Sequence, residues 1–405
     1  MVAVVSTSSN KNLATPGKVG DGVVRIRVGS EYGTGVLLAD GQHVLTAAHI
    51  AAAGALDSLS VIFETVSGTT TVTANSVAQS PYYIASNSNN DLAILTLSST
   101  APADANRYEI YRASDEIGQV FTFVGYGKPA TGSSGNISTT EAPTRRYAEN
   151  QVDGLMELFK LHYGQYMNWS PQDGKLFFAD FDDGTTTHDA SGRLFGLNNT
   201  GLGSAEGGLS LGDSGGPAFI GGKIAGIASY QFRFAPGGVS ADIDGQTNSS
   251  FGEVNAWTRV SQYQFWIDQT LRQSQVGAPS RPKDVQKTVI EGNSGTKHVW
   301  FLVSLAQPAS GGETIQFHTL DGTAKAGVDY LSVSDTLVFY TGEDHVAIPV
   351  EVVGNTRVDG NRTFSLVITD PHGGVFAGGV SQLSATRTII DDDGIGLLGL
   401  VGVAS

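Results

Sequence analysis

One serine, Ser214, stands in LSLGDSGGPAF (Leu209 to Phe219) between an aspartate and two glycines, ahead of a proline. A serine hydroxyl is a weak nucleophile near neutral pH and needs a base within hydrogen-bond reach, itself held by a third group. Of the 8 histidines, His49 ends the apolar run VLTAAHI, where small alanines leave an imidazole room beside a cleft. Asp91 heads the apolar strand pattern SNNDLAILTL. Taken singly, each has an ordinary structural role: a histidine at a strand end packs, and an aspartate before a strand closes a turn. Together they are the parts of a nucleophile, base and orienting acid.

The elements that would position them are short. VVRIRV, GTGVLLA, HVLTAA, SVIFETV, LAILTL, VFTFVGYG, PAFIGG, KIAGIASYQF and NAWTRV are β-type runs bounded by Gly, Asn, Asp and Ser, the pattern of a barrel or sandwich. Helical signal is sparse; SQYQFWIDQTLRQ (Ser261 to Gln273) offers Tyr263, Phe265, Trp266, Ile267 and Leu271 as an apolar face behind a serine cap. SQVGAPSRPKD then reads as a linker. A second set of strands follows: KHVWFLVSL, ETIQFHTL, DTLVFY, HVAIPVEVV, RTFSLVIT and SATRTII, the pattern of a small antiparallel sandwich. The expected organisation is an N-terminal extension (1–19), a first all-β domain (20–273), a linker (274–284), a second all-β domain (285–393) and an apolar glycine-rich tail (394–405).

The segments TAAH, DLAIL and GDSGGP, in that order, resemble the trypsin-like serine peptidases of the chymotrypsin fold. The resemblance runs from about Gly20 to Arg272, with GTGVLL, FVGYG and NAWTRVSQYQFWIDQTL in support. It implies a chymotrypsin-like double β-barrel, two six-stranded barrels with a C-terminal helix and the site in the cleft between them. By the same resemblance Ser214 is the nucleophile, His49 the general base and then acid, and Asp91 the group that fixes the imidazole tautomer. The N–H groups of Gly212 and Ser214 would form the oxyanion hole, where a side chain at position 212 would obstruct the turn.

The resemblance also places a substrate pocket, with Gly208 at its base and Ser229, Gln231 and Asn255 on its walls. A glycine where trypsin-type selectivity requires an aspartate disfavours Arg or Lys at P1. Uncharged side chains on the walls favour compact or polar P1 residues. The chain departs from disulfide-bearing relatives at Ile50 and Ser210, which points to a bacterial-type member held by packing. It has no IVGG-like start, although Asp213 is present. The region Gln151 to Asn199 reads as an insertion near the cleft, and its FADFDDGTTTHD (Asp180, Asp182, Asp183, His188) as a solvated acidic turn or, less simply, a Ca²⁺ site.

Residues 285–393 resemble a Calx-β domain through VIEGNSG, LDGTAKAGVDY, YTGEDHVAIPVEVV, RTFSLVI and IIDDD. That family gathers carboxylates at one end of the sandwich to bind Ca²⁺, here Glu291, Asp329, Asp359, Asp391, Asp392 and Asp393. Asn355 and Arg362 stand where acids are common, which lowers the charge available to an ion.

Composition narrows the partners. A net charge of -15 with only 24 Lys and Arg argues against nucleic acid. Without cysteine, neither disulfide nor thiolate chemistry is available. MVAVVSTSSNKN shows no intact signal peptide, and the tail GIGLLGLVGVAS is shorter than the roughly 20 residues a spanning helix needs. The expectation is a secreted, periplasmic or surface serine endopeptidase acting on protein or peptide substrate. It needs no catalytic cofactor, with Ca²⁺ in the second domain an added possibility. The alternative is a catalytically idle adhesion or surface-assembly protein on the same scaffold; oligomeric state is not encoded in any motif.

Overall fold

The computed structural model describes residues 3–4, 12–137 and 142–393. The chain divides into two compact units, one holding 1–38 and 42–270 and the other 39–41 and 271–405. The apolar tail lies outside the described residues.

In the first unit, six strands close an antiparallel barrel in the order Val23–Val28, Glu31–Leu37, His43–Thr46, Ala93–Leu97, Gly68–Gln79 and Leu59–Thr65. The alternation in Leu59–Thr65 sends Leu59, Val61 and Phe63 inward to meet Ile26, Val44 and Leu95. Each large apolar side chain so buried contributes roughly 1.5–3 kcal/mol.

The second half is a seven-stranded antiparallel sheet: Arg146–Gln151, Val120–Gly125, Pro217–Ile220, Lys223–Phe232, Glu253–Arg259, Leu176–Phe181 and Gly154–Leu155. Leu176–Phe181 is buried at every position because both faces of the sheet are covered. Phe177 and Ala179 pack with Phe121, Phe123 and Trp257 on one side. Phe178 packs with Phe159, Phe234 and Val254 on the other. The region 151–199 is therefore more than an insertion. It supplies two strands of the sheet, Gly154–Leu155 and Leu176–Phe181, and its helix Glu157–Tyr163 carries Phe159 onto Phe178 of the second.

Two further expectations change. The described part of the N-terminal extension is built in: Ala3–Val4 is buried, antiparallel to Gly207–Gly208 and parallel to Ala130–Thr131. The C-terminal helix spans Gln264–Ser274 after a short 3₁₀ turn, and Phe265, expected on its apolar face, is exposed while Tyr263 and Ile267 are buried.

In the second unit a five-stranded sheet (Thr288–Ile290, Gln382–Ile390, Arg362–His372, Glu313–Asp321, Ser334–Phe339) is accompanied by the pair Thr296–Ser304 and His345–Val353. Tyr330 stacks on Phe364 at 4.3 Å in a core shared by Phe301, Phe339, Val350 and Val352.

Candidate active site

His49 lies in the four-residue helix Ala48–Ala51, reached directly from the strand His43–Thr46. Ala47 and Ala48 are fully buried, so the turn sits flat on the barrel and presents the imidazole at its rim. Asp91 follows Asn90, whose φ of 55° lies in the left-handed region that asparagine tolerates. The Asn90 amide fixes that kink by donating to the Tyr82 carbonyl and to Gln172 Oε1, while its oxygen accepts from the Tyr263 hydroxyl. The kink turns the Asp91 carboxylate inward, where it is wholly buried.

The two side chains meet. His49 Nδ1 donates to Asp91 Oδ2 at 2.7 Å, and the His49 backbone N–H donates to Asp91 Oδ1 at 2.9 Å. A third donor, Ser229 Oγ, reaches Asp91 Oδ2 at 2.6 Å. Three donors offset the desolvation cost of a carboxylate with no side-chain exposure. Engaging Nδ1 as donor leaves Nε2 of a neutral imidazole as the acceptor, on a side chain that is 31% exposed.

Ser214 is half-buried on the turn after Asp213. Its carbonyl accepts from Thr34 N at 2.8 Å, and Thr34 Oγ1 donates to the Gly212 carbonyl at 2.9 Å, so the first barrel holds both ends of the turn. A Cβ on Gly215 would lie 2.2 Å from Thr46 Oγ1 and 3.0 Å from Ala47 N, which places the serine turn against the segment that carries His49. Gly212 has a φ of 104°, and a Cβ there would meet the Tyr32 ring at 2.7 Å, so no other residue fits. Asp213 is buried and its carboxyl raised by that burial; Gly127 N and Ser210 N donate to its two oxygens.

Of the expected pocket residues, Gly208, Gln231 and Asn255 are brought together. Gln231 and Asn255 face each other across two strands, and a Cβ on Gly208 would touch Phe181 and the Asn255 amide. Asn255 Oδ1 accepts from Leu209 N. Gln231 contacts Ser249 Oγ at 3.0 Å. The hydroxyl of Ser229, expected on a pocket wall, donates to Asp91. Thr34 and Asn90 were missed as site residues, and the bond from Ser229 to Asp91 was not foreseen, because their partners are remote in sequence and no local pattern marks them.

The acidic turn is also corrected. Asp180, Asp182 and Asp189 are buried, together with Glu206. Asp189 caps the helix Ala190–Phe195 through Gly192 N. Burial, then Asp153, raises Asp180; burial pushes Asp182 up to about 6 and Glu206 up to about 8. Only Asp183 and His188 form an exposed pair, at 2.8 Å.

In the second unit, oxygens of Glu291, Asp391 and Asp393 lie within 4.8 Å of one another. Oε1 of Glu291 and Oδ2 of Asp393 are buried without a hydrogen-bond partner, and Asp359 Oδ2 has only Arg357 at 3.5 Å, an oxygen set that fits a hard cation. Burial, then Asp391 and Asp393, raises the Glu291 carboxyl. Asp329 does not join them: its oxygens take Arg362 at 2.7 Å and Lys325 N at 2.7 Å. Arg362 also holds Asp359, at 3.1 Å. Asp392 accepts from Gly292 N.

Residues 14–155 match the trypsin family model. Residues 284–393 match the Calx-beta domain. The chain therefore joins a trypsin-like fold to a Calx-beta β-sandwich. The extracellular matrix organizing protein FRAS1 of human is 38% identical over 86 residues, 21% of this chain and 2% of that protein. Its mouse counterpart is 38% identical over 84 residues, again 21% and 2%. The chain thus spans a small fraction of those relatives. Neuropsin, a serine protease expressed in the limbic system of mouse brain, aligns at a TM-score of 0.45 and 16% identity, over 64% of this chain and 99% of that one.

Proposed function

We propose that the protein is a serine endopeptidase of secreted or cell-surface location, and the observation that carries this reading is the Asp91–His49 pair. With Nδ1–H held on Asp91, Nε2 is the basic atom and can take the proton of Ser214 Oγ as that oxygen attacks a peptide carbonyl. The tetrahedral oxyanion is received by the N–H groups of Gly212 and Ser214, each such donor worth roughly 3 kcal/mol of barrier. His49 then returns the proton to the leaving amine, and water hydrolyses the acyl-enzyme by the same steps in reverse roles. No step calls for a cofactor. Gly208 supplies no charge at the pocket base, so the substrate side chain at P1 is compact and uncharged.

Calcium is assigned to the second unit, on Glu291, Asp391 and Asp393, where it would neutralise three gathered carboxylates and meet Oε1 of Glu291 and Oδ2 of Asp393, which no hydrogen-bond donor reaches.

The test is covalent labelling with a fluorophosphonate and mass mapping of the modified residue. Label on Ser214, lost in Ser214→Ala with the melting temperature unchanged, supports the reading. A folded protein that takes no label supports the rival, an idle surface-assembly scaffold, which the similarity to an extracellular matrix organizing protein favours.

A further inference from the structure

The loop from Ala241 to Glu253 brings oxygen atoms together without enough donors to satisfy them. Its neck is closed by Ile243 N donating to the Phe251 carbonyl at 3.0 Å, and Gly252 N donates to the Phe181 carbonyl at 2.7 Å. Glu253 is 1% exposed. Its Oε1 accepts from Asn248 N at 2.6 Å and Ser250 N at 3.1 Å, but its Oε2 is buried with no partner. Asn248 Nδ2 donates outward to Asp244 Oδ2 at 2.7 Å, which fixes the amide and leaves its Oδ1 buried and unpartnered as well. Gly135 makes room for that amide, since a Cβ there would lie 2.4 Å from Asn248 Cγ. The Asp242 side chain has no exposure, and the Ser250 hydroxyl lies 3.1 Å from Asp242 Oδ1 and 3.4 Å from Glu253 Oε1, so the two carboxylates share one small space.

The charge in that space is out of balance. Asp242 and Glu253 carry two negative charges there, and Arg233, whose Nε is 3.0 Å from Asp242 Oδ2, carries one positive charge, leaving one negative, with Asp244 adding another at the exposed rim. Oε2 of Glu253 and Oδ1 of Asn248, buried without donors in the same loop, are costly unless a proton or a cation meets them. The oxygen-bearing side chains Asp242, Asp244, Asn248, Ser250 and Glu253 fall at positions 1, 3, 7, 9 and 12 of a twelve-residue loop. That spacing lets a single loop wrap a hard divalent ion, with the amide and carboxylate oxygens as its ligands.

We propose that this loop is a calcium-class cation site, with Asp242, Asn248 and Glu253 as its core, which sets the wall of the substrate pocket. The link to the pocket is short. Ser249, next to Asn248, holds the Gln231 side chain, and Glu253 begins the strand that carries Asn255. Asn248 also pins the neighbouring segment, accepting from Asn136 N at 2.7 Å. The effect on the pocket rests on the peptidase reading; the cation site itself does not.

The experiment is calcium binding by the full chain, measured by calorimetry with Ca²⁺ alone. Asp391→Asn/Asp393→Asn is introduced first, to silence the acidic group of the second unit. One Ca²⁺ per chain is expected to remain. Glu253→Gln and, separately, Asn248→Ala should each weaken it at least tenfold, while Arg233→Gln should tighten it by freeing Asp242. Matching circular dichroism and melting curves keep loss of fold apart from loss of ligand. A background variant that binds no Ca²⁺, or binding that is indifferent to Glu253→Gln and Asn248→Ala alike, overturns the site. If Ca²⁺ binds as expected and lowers KM for a compact P1 substrate, the coupling to the pocket stands. Binding with an unchanged KM removes the coupling, and binding by a chain with no activity at all removes the peptidase reading while leaving the site.

Discussion

Ser229 Oγ donates at 2.6 Å to the same Asp91 oxygen that receives His49 Nδ1 at 2.7 Å. A residue on the second sheet thus helps orient the carboxylate of the first barrel. Hydrogen bonds to a charged group contribute roughly 1.5–3 kcal/mol, so Ser229→Ala should lower kcat by about tenfold or more with little change in KM. A KM effect with kcat intact would return Ser229 to the pocket wall.

Asp91→Asn keeps the shape but reverses the demand on Nδ1, since an amide NH₂ turned toward it asks for an acceptor. The imidazole would then hold its hydrogen on Nε2 and lose its basic atom toward Ser214. General-base catalysis contributes about 10²–10⁴-fold, and kcat/KM should fall by that order. A variant within threefold of the parent would remove His49 from the role of base.

Peptide libraries should show no enrichment for Arg or Lys at P1, because an unpaired cation over Gly208 costs several kcal/mol. Ala, Val and Thr should lead. Gln231→Gly deletes the side chain that Ser249 holds and should admit larger residues. A preference for Arg or Lys would show that a carboxylate from another segment reaches the pocket.

The buried acids give stability a pH dependence of predictable sign. Glu206 and Asp182 titrate at about 8 and about 6 in the fold, both above the ordinary carboxylate range because of burial. The folded chain therefore binds protons that the unfolded chain releases above pH ~4.5, so this contribution is whole at low pH and is lost as pH rises toward 8. The melting temperature of the first unit should fall from pH 5.5 to 8.5. Asp182→Asn should flatten that slope and raise the melting temperature at pH 8, because Asp182 Oδ2 is buried without a partner among Asp153, Asp183 and Asp189. A slope of opposite sign would mean that these acids are ionised in the fold and paired.

Calcium at 100 times its Kd should stabilise the second unit by about 2.7 kcal/mol, read as a rise in its melting transition that chelator reverses. Glu291→Gln should abolish the rise. An unchanged rise in that variant would move the ion elsewhere.

The sequence by itself determined what depends on near neighbours. Alternating Leu59, Val61 and Phe63, the turn residues between runs and the linker before 285 all act over a few residues, and they mark two β-rich units. GDSGGP, TAAH and DLAIL were legible for the same reason: each needs a local backbone shape, such as the φ of 104° at Gly212, that only certain residues adopt. Tertiary structure alone decided which remote groups meet. Ser229 faces Asp91 across 138 positions of sequence. Asp329 pairs with Arg362, and Asp180, at the end of the strand Leu176–Phe181 that is covered on both faces, is buried with Asp182 and Asp189. Burial and the sharing of donors are set by packing between segments distant in the chain, and no single stretch of it carries that information.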